Sequence, residues 1–190
     1  MANLLFYYSA MNAGKSALLL QQAHNLESKG FRVKRWTSAL DSREGQGKIH
    51  SRVGISAKAE PFAGNTQLYR KDCGWDYIFV DEAQFLTKKQ VLDLCRLVDE
   101  HDVTCFCYGL RTDFRGEPFE GATYLMAWAD EVREIPSYDN NGNKAQMNIR
   151  VDKAGNRVWH GTQVQIGYMY ESIHRQDFDL PRALRTGLAG

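Results

Sequence analysis

The stretch Ser9-Ala10-Met11-Asn12-Ala13-Gly14-Lys15-Ser16 constrains this chain more than any other. It departs from the pattern G-x-x-x-x-G-K-[ST] only at its first position, where Ser9 stands in place of glycine. Asn3 to Tyr8, just before it, is a short apolar run that reads as a strand. A helix is expected from Lys15 to Lys29, with Gly30 as its stop signal. A strand, a tight loop and a helix start in that order make an anion site. The loop's backbone N–H groups and the positive end of the helix converge on one point. The loop residues would cradle the phosphates of ATP, with the Lys15 ammonium on the β and γ oxygens. The Ser16 hydroxyl is placed to ligate Mg²⁺.

The rest of the first half alternates strands and helices. Phe31 to Ala39 reads as a second strand, and the polar, glycine-bearing stretch Asp41 to Gly54 reads as a mobile loop. Asp76 to Val80 is a continuous apolar run, as a central strand buried on both faces requires. Directly after it comes Asp81-Glu82-Ala83-Gln84. A carboxylate at the C-terminal end of a central strand lies near the phosphate loop in such a sheet, so Asp81 is the candidate Mg²⁺ holder. Glu82 is the candidate base for whatever attacks the γ-phosphate. Thr87-Lys88-Lys89-Gln90 has the form of a capping box, with Val91, Leu94, Cys95 and Val98 following at helical spacing. Val103 to Leu110 is another buried strand, and a helix spans Glu120 to Ala129. Strands alternating with helices imply a parallel sheet covered on both faces.

Composition narrows the partner. Lys and Arg total 24 against 23 for Asp and Glu, a net charge of +1, whereas nucleic-acid binders carry a basic excess. A small-molecule substrate is expected, and no nucleic acid. A helicase-like ATPase would need two such domains, and 190 residues supply one. No apolar run approaches a membrane span and no signal peptide is evident, so the chain reads as cytoplasmic with no membrane partner. Cys105 and Cys107 sit two apart in a strand and read as buried free thiols on one face.

Near Ile135 the character changes. Residues 1–135 read as the nucleotide-binding domain, 136–178 as a small β-rich lobe over the nucleoside, and 179–190 as a loose tail. Pro136 to Asn143 is turn chemistry. Gln146 to Val151 and Arg157 to Ile166 are β segments joined by the turn Asp152-Lys153-Ala154-Gly155-Asn156.

The phosphate loop, Asp41-Ser42-Arg43, Ser51-Arg52-Val53-Gly54, Asp81-Glu82-Ala83-Gln84-Phe85-Leu86 and Tyr108-Gly109-Leu110-Arg111-Thr112-Asp113-Phe114 together resemble the P-loop thymidine kinases that carry a small zinc lobe. The resemblance runs in order to about residue 178. It implies an α/β fold, a P-loop (RecA-like) parallel sheet flanked by helices with a small C-terminal β-rich lobe. It also implies ATP and Mg²⁺, thymidine as acceptor, a homotetramer, and inhibition by the end-product triphosphate. Carried over by position, Glu82 is the general base on the 5′-hydroxyl. Met11, Phe85, Leu110, Phe114 and Phe119 line the thymine pocket, and either Tyr168 or Tyr170 faces the sugar. Val164-Gln165-Ile166-Gly167-Tyr168 resembles the loop that closes over the nucleoside. Arg43 and Arg52 serve either phosphate or the solvated surface.

The zinc lobe departs from the family's pattern. Gly142-Asn143-Lys144-Ala145 is intact, yet Asp139 and Asn141 (or Tyr138) precede it where cysteines belong. His174 and Asp177 stand at the later ligand positions. Structural zinc sites use mostly thiolate and imidazole, so no structural zinc is expected. Packing by Trp159, Val164, Ile166, Tyr168, Met169, Tyr170 and Phe178, with a hydrogen-bond cluster among Asp139, Asn141, His174 and Asp177, is expected to hold the lobe instead. The alternative reading is a non-catalytic, nucleotide-binding member with a regulatory role.

Overall fold

The structure is a computed structural model that describes residues 1–40, 47–164 and 168–182. The expectations for Asp41, Ser42 and Arg43, for Gln165, Ile166 and Gly167, and for residues 183–190 fall outside the described residues.

In chain order the first part contains β1 (Leu4–Tyr8), α1 (Lys15–Glu27), β2 (Val33–Ser38), β3 (Lys48–His50), β4 (Ser56–Lys58), β5 (Glu60–Phe62), β6 (Tyr77–Val80), α2 (Lys88–His101), β7 (Thr104–Gly109), α3 (Glu120–Trp128) and β8 (Glu131–Glu134). A 3-10 turn, Ala83–Phe85, follows β6. Six strands form one sheet in the order β5-β2-β6-β7-β1-β8, and every pairing is parallel. Residue alternation along the strands separates two cores. Leu5 and Tyr7 of β1 join Phe79 and Tyr108 beneath Leu19, Leu20 and Ala23 of α1. Leu4, Phe6, Ile78 and Val80 meet Val91, Leu94 and Leu97 of α2 and Ala122 and Leu125 of α3. Cys105 and Cys107 are buried free thiols on this second face, as their spacing requires.

Local signals set the helix ends. Beyond α1, Gly30 adopts φ +88°, its N–H bonds the Glu27 carbonyl at 2.9 Å, and Phe31 N–H reaches Leu26 at 3.2 Å. A left-handed residue is needed for that turn, and glycine supplies it without a Cβ clash. The α2 capping box closes both ways, with Thr87 Oγ1 accepting from Gln90 N–H at 3.3 Å and Gln90 Oε1 accepting from Thr87 N–H at 3.0 Å.

Three expectations need correction. The stretch read as one mobile loop, Asp41 to Gly54, holds β3, which pairs with β4 beyond it in an antiparallel hairpin. Edge strands β5 and β8 are additional, and their sequences, Glu-Pro-Phe and Glu-Val-Arg-Glu, lack the apolar run of a buried strand because an edge needs none. The strand expected from Arg157 to Ile166 stops at Val158. Beyond it the Thr162 carbonyl accepts from Arg150 Nη2 at 2.8 Å, a side-chain bond in place of a ladder bond.

The second part holds a two-stranded sheet of β9 (Ser137–Tyr138) and β10 (Lys144–Ala145). It also holds a three-stranded antiparallel sheet, β12-β11-β13, from β11 (Met147–Val151), β12 (Arg157–Val158) and β13 (Met169–Ile173). A 3-10 turn, Arg175–Phe178, closes it. The apolar core here is Met147 and Phe178 with Ile149, Trp159, Ile173 and Leu180 packed against them. Val164, Tyr168 and Met169, expected to bury area, are 38%, 38% and 58% exposed. Leu180 also packs: a Cβ on Gly116 would lie 2.8 Å from its Cδ1, so the start of the expected loose tail is anchored.

Candidate functional site

The residues expected to carry the chemistry follow the C-terminal ends of β1 and β6, and β7 lies between these strands. Something must cross over the end of β7. Ser16 does so, its Oγ donating to Asp81 Oδ2 at 3.0 Å. Gly109 ends β7, and a Cβ there would lie 2.8 Å from Gln84 Oε1 and 3.0 Å from Gln84 N. Only a residue without a side chain lets the segment after β6 lie this close. Gln84 Oε1 uses that approach to accept from Leu110 N–H at 3.1 Å, while its Nε2 donates to Glu82 Oε2. Gly121, in the first turn of α3, meets Ala83 O the same way, at 2.5 Å from an ideal Cβ.

The phosphate loop leads into α1 through Gly14 at φ +79°, with open space where its Cβ would be. The N-cap makes no side-chain hydrogen bond and the first turn carries no acidic residue. Those N–H groups suit an anion. Lys15, 9% exposed, donates through Nζ to Ser9 Oγ and to the Ala10 carbonyl, each at 2.9 Å. Burial pulls its pKa down from the ordinary lysine value, against the raising effect of Glu82 and Asp81. The first-position serine is thus explained: Ser9 Oγ holds the lysine and itself donates to Ala10 O at 2.6 Å.

Asp81 is 5% exposed, and burial together with the neighbouring Glu82 charge pushes its carboxyl up to about 7, against the Ser16 hydrogen bond and Lys15. A buried carboxylate paired with a hydroxyl, so short of positive charge, fits a hard cation with oxygen ligands such as Mg²⁺. Glu82 sits half-buried in the left-handed region at φ 53°, its N–H held by Asp81 Oδ1 at 3.1 Å. That conformation costs on the order of 1 kcal/mol.

The residues expected to line the thymine pocket fall into two groups. Phe85 and Phe119 meet edge to face at 5.5 Å, and Leu110 adjoins through Gln84. Phe114, Tyr168 and Tyr170 surround Arg150, whose guanidinium carbon lies 3.7 Å from the Phe114 ring centre and 5.3 Å from each tyrosine ring. Tyr170 Oη accepts from Arg150 Nε at 3.0 Å, whereas Tyr168 lines a recess with Met169 and the Asp152 turn. Met11 lies in the phosphate loop, its backbone bonded to Asn148, Ser137 and Ser172. Arg52 is exposed at the β3–β4 turn.

Arg150, fully buried, escaped the sequence reading, as did Asn148. A period-2 polar pair inside the strand Met147–Val151 was the available signal, since it marks one face as polar. The positions where the resemblance calls for zinc ligands do not fit the ion. Asp139 accepts from Asn141 N–H at 2.9 Å and from Asn143 through N–H at 2.8 Å and Nδ2 at 3.3 Å. Burial works to raise its pKa, yet those donors and His174 hold it below the usual value. His174 Nδ1 accepts from Gln176 N–H at 3.3 Å, and Asp177 N–H bonds the His174 carbonyl. Among the described residues these are two local knots, not the single cluster expected, and no group of three or more His, Cys, Asp or Glu is placed to hold a metal.

The sequence model of the family described as "Thymidine kinase" matches residues 2–178. Similar proteins named thymidine kinase include one from Xanthomonas oryzae pv. oryzae, 48% identical over 94% of this chain and 90% of its own. One from Vibrio vulnificus is 46% identical over 94% of this chain and 97% of its own. One from Yersinia pestis is 45% identical over 94% and 95%. With the phosphate loop, the Asp81-Glu82 strand end and the aromatic groups all inside the matched span, the chain belongs to the thymidine kinase family.

Proposed function

We propose that this protein is a thymidine kinase that transfers the γ-phosphate of ATP to the 5′-hydroxyl of thymidine, giving dTMP. The observation that carries this reading is the Ser16–Asp81 contact with Glu82 beside it, a hydroxyl–carboxylate pair suited to a cation next to a second carboxylate held by Gln84. The α1 N-terminus and Lys15 hold the phosphates. Ser16 and Asp81 would hold Mg²⁺, which when bound would supply positive charge to the phosphate oxygens. Glu82, fixed by Gln84, takes the proton of the 5′-hydroxyl as its oxygen attacks the γ-phosphorus and the bond to the ADP oxygen breaks. Phe85, Phe119, Leu110 and Met11 present flat apolar surface to a base, and Phe114, Tyr168 and Tyr170 lie beyond.

The lobe over the nucleoside, residues 136–178, works in this reading without structural zinc. Assembly into the homotetramer is supported by Leu92, Met126 and Trp128, which are exposed on α2 and α3. Phosphorylation across a panel of nucleosides with ATP and Mg²⁺ tests the proposal. Transfer to thymidine above ribonucleosides is expected. ADP release without an acceptor, or stimulated by single-stranded DNA, would overturn it.

A further inference from the structure

Met11 lies in the middle of the phosphate loop, yet both of its backbone polar groups are taken by the C-terminal part. Its N–H donates to Asn148 Oδ1 at 2.7 Å. Its carbonyl accepts from Ser137 Oγ at 3.0 Å and Ser172 Oγ at 2.8 Å. The three side chains come from β9, β11 and β13, and Asn148 and Ser172 are direct cross-strand partners. Ser137 and Asn148 are buried.

Peptide planarity gives these bonds a consequence. A trans peptide points its C=O and N–H in opposite directions. Turning Met11 N–H toward Asn148 therefore turns the Ala10 carbonyl the other way, where it accepts from Lys15 Nζ at 2.9 Å. Turning the Met11 carbonyl toward the two serines likewise aims Asn12 N–H away from the lobe, and Asn12 holds a left-handed φ of 63°. Two successive peptide planes of the phosphate loop are thus oriented from outside the loop.

We propose that Ser137, Asn148 and Ser172 are positioning residues that set the phosphate loop through Met11, so that the lobe covering the acceptor also fixes the donor site. This rests on the kinase reading of the loop, and it adds a route by which the two half-sites communicate. The next cross-strand pair on the same face is Arg150 and Tyr170, and Arg150 bonds the Thr162 carbonyl and packs on Phe114. One polar face therefore touches the phosphate loop at one end and Thr162 and Phe114 at the other.

The test compares Asn148→Ala, Ser172→Ala and the Ser137→Ala/Ser172→Ala double variant with the unsubstituted protein. Mg–ADP affinity is read by calorimetry, and KM for ATP and for thymidine by assay. Each lost bond is expected to weaken ADP binding and raise KM for ATP about fivefold. KM for thymidine should shift by less, and Ser172→Thr, which keeps the hydroxyl, should restore ATP use. Variants that melt earlier but bind ADP and use ATP as before would show the bonds to be packing only and overturn the proposal. Failure of the kinase reading is distinct, since the unsubstituted protein would then bind ADP yet phosphorylate no nucleoside.

Discussion

The parallel sheet and the C-terminal lobe hold their functional loops by opposite means. Loops of the sheet leave strands whose side chains are apolar and almost wholly buried, such as Phe6, Phe79 and Val80 at 0% exposure. Their positions follow from packing, and glycines at 109 and 121 permit the close approaches. In the lobe the small apolar core of Met147 and Phe178 is accompanied by buried polar side chains, Arg150 at 0% and Asn148 at 3% exposure. Its geometry is set by donors and acceptors. Truncating an apolar side chain in the sheet leaves a cavity, whereas truncating a polar one in the lobe strands a buried partner. In the proposed reading the catalytic groups stand on the first kind of support and the substrate cover on the second.

If that division is right, the largest effect on rate comes from the sheet with no loss of stability. Glu82→Gln should lower kcat by about 10² to 10⁴ while Mg–ATP still binds and the melting temperature holds. Steady-state kinetics with nucleotide titration read both. Loss of ATP binding in Glu82→Gln, with Asp81→Asn binding normally, would reverse the two roles.

Next in size is the pH response of Asp81. Its carboxyl titrates near 7 in the folded chain and near 3.9 once unfolded. Between those values the folded state holds the extra proton. The stability contributed is complete below about pH 4 and lost as pH rises through about 7. Ligand-free Asp81→Asn should therefore melt higher than the unsubstituted protein at pH 8 and lose this part of the slope, while its Mg²⁺-dependent turnover falls. An unchanged pH profile of melting would place Asp81 in a far more hydrated setting.

Arg150→Leu probes the lobe's side of the division. It leaves the Thr162 carbonyl and the Tyr170 hydroxyl without their donor, at about 1 to 3 kcal/mol. Chemical denaturation measures the loss, and KM for thymidine should rise more than KM for ATP. A variant of full stability would show the guanidinium to be replaceable by apolar packing.

What the sequence made legible divides along the same line. The phosphate loop, the Gly30 stop, the Thr87 capping box and the strand ending at Asp81 are local, each readable within a few residues. Contacts of the lobe are not. Met11 meets partners 126, 137 and 161 positions away, and serine or asparagine in a short strand carries no mark of such a task. Edge strands β5 and β8 were missed because partial exposure removes the apolar pattern that identifies a strand. The aromatic and aliphatic residues 164, 168 and 169 were misread as core for the converse reason: apolarity alone does not say whether a side chain is covered by its own chain.

The smallest effect expected comes from the two tight turns of the lobe, which share a pattern. Asp139-Asn140-Asn141-Gly142-Asn143 and Asp152-Lys153-Ala154-Gly155-Asn156 both read D-x-x-G-N. In each the Asp Oδ1 accepts two backbone N–H groups at 2.8 to 2.9 Å and Oδ2 accepts the Asn Nδ2 at 3.3 Å. Each glycine adopts a left-handed φ, +80° and +83°. The second turn joins β11 to β12 as an ordinary hairpin and holds none of the positions where the resemblance calls for ligands. The first occupies the place of a zinc knuckle and closes by the same bonds. A metal there would have to displace the three donors that Asp139 already accepts, so in the proposed reading one carboxylate organises the turn. Asp139→Ala and Asp152→Ala should thus lower the melting temperature alike, and the two losses should add when combined because the turns are separate. Metal analysis should find no stoichiometric zinc, and a strong chelator should leave the melting temperature unchanged. One zinc per chain, lost along with the Asp139 contribution alone, would break the equivalence of the two turns and return the lobe to the metal-held class.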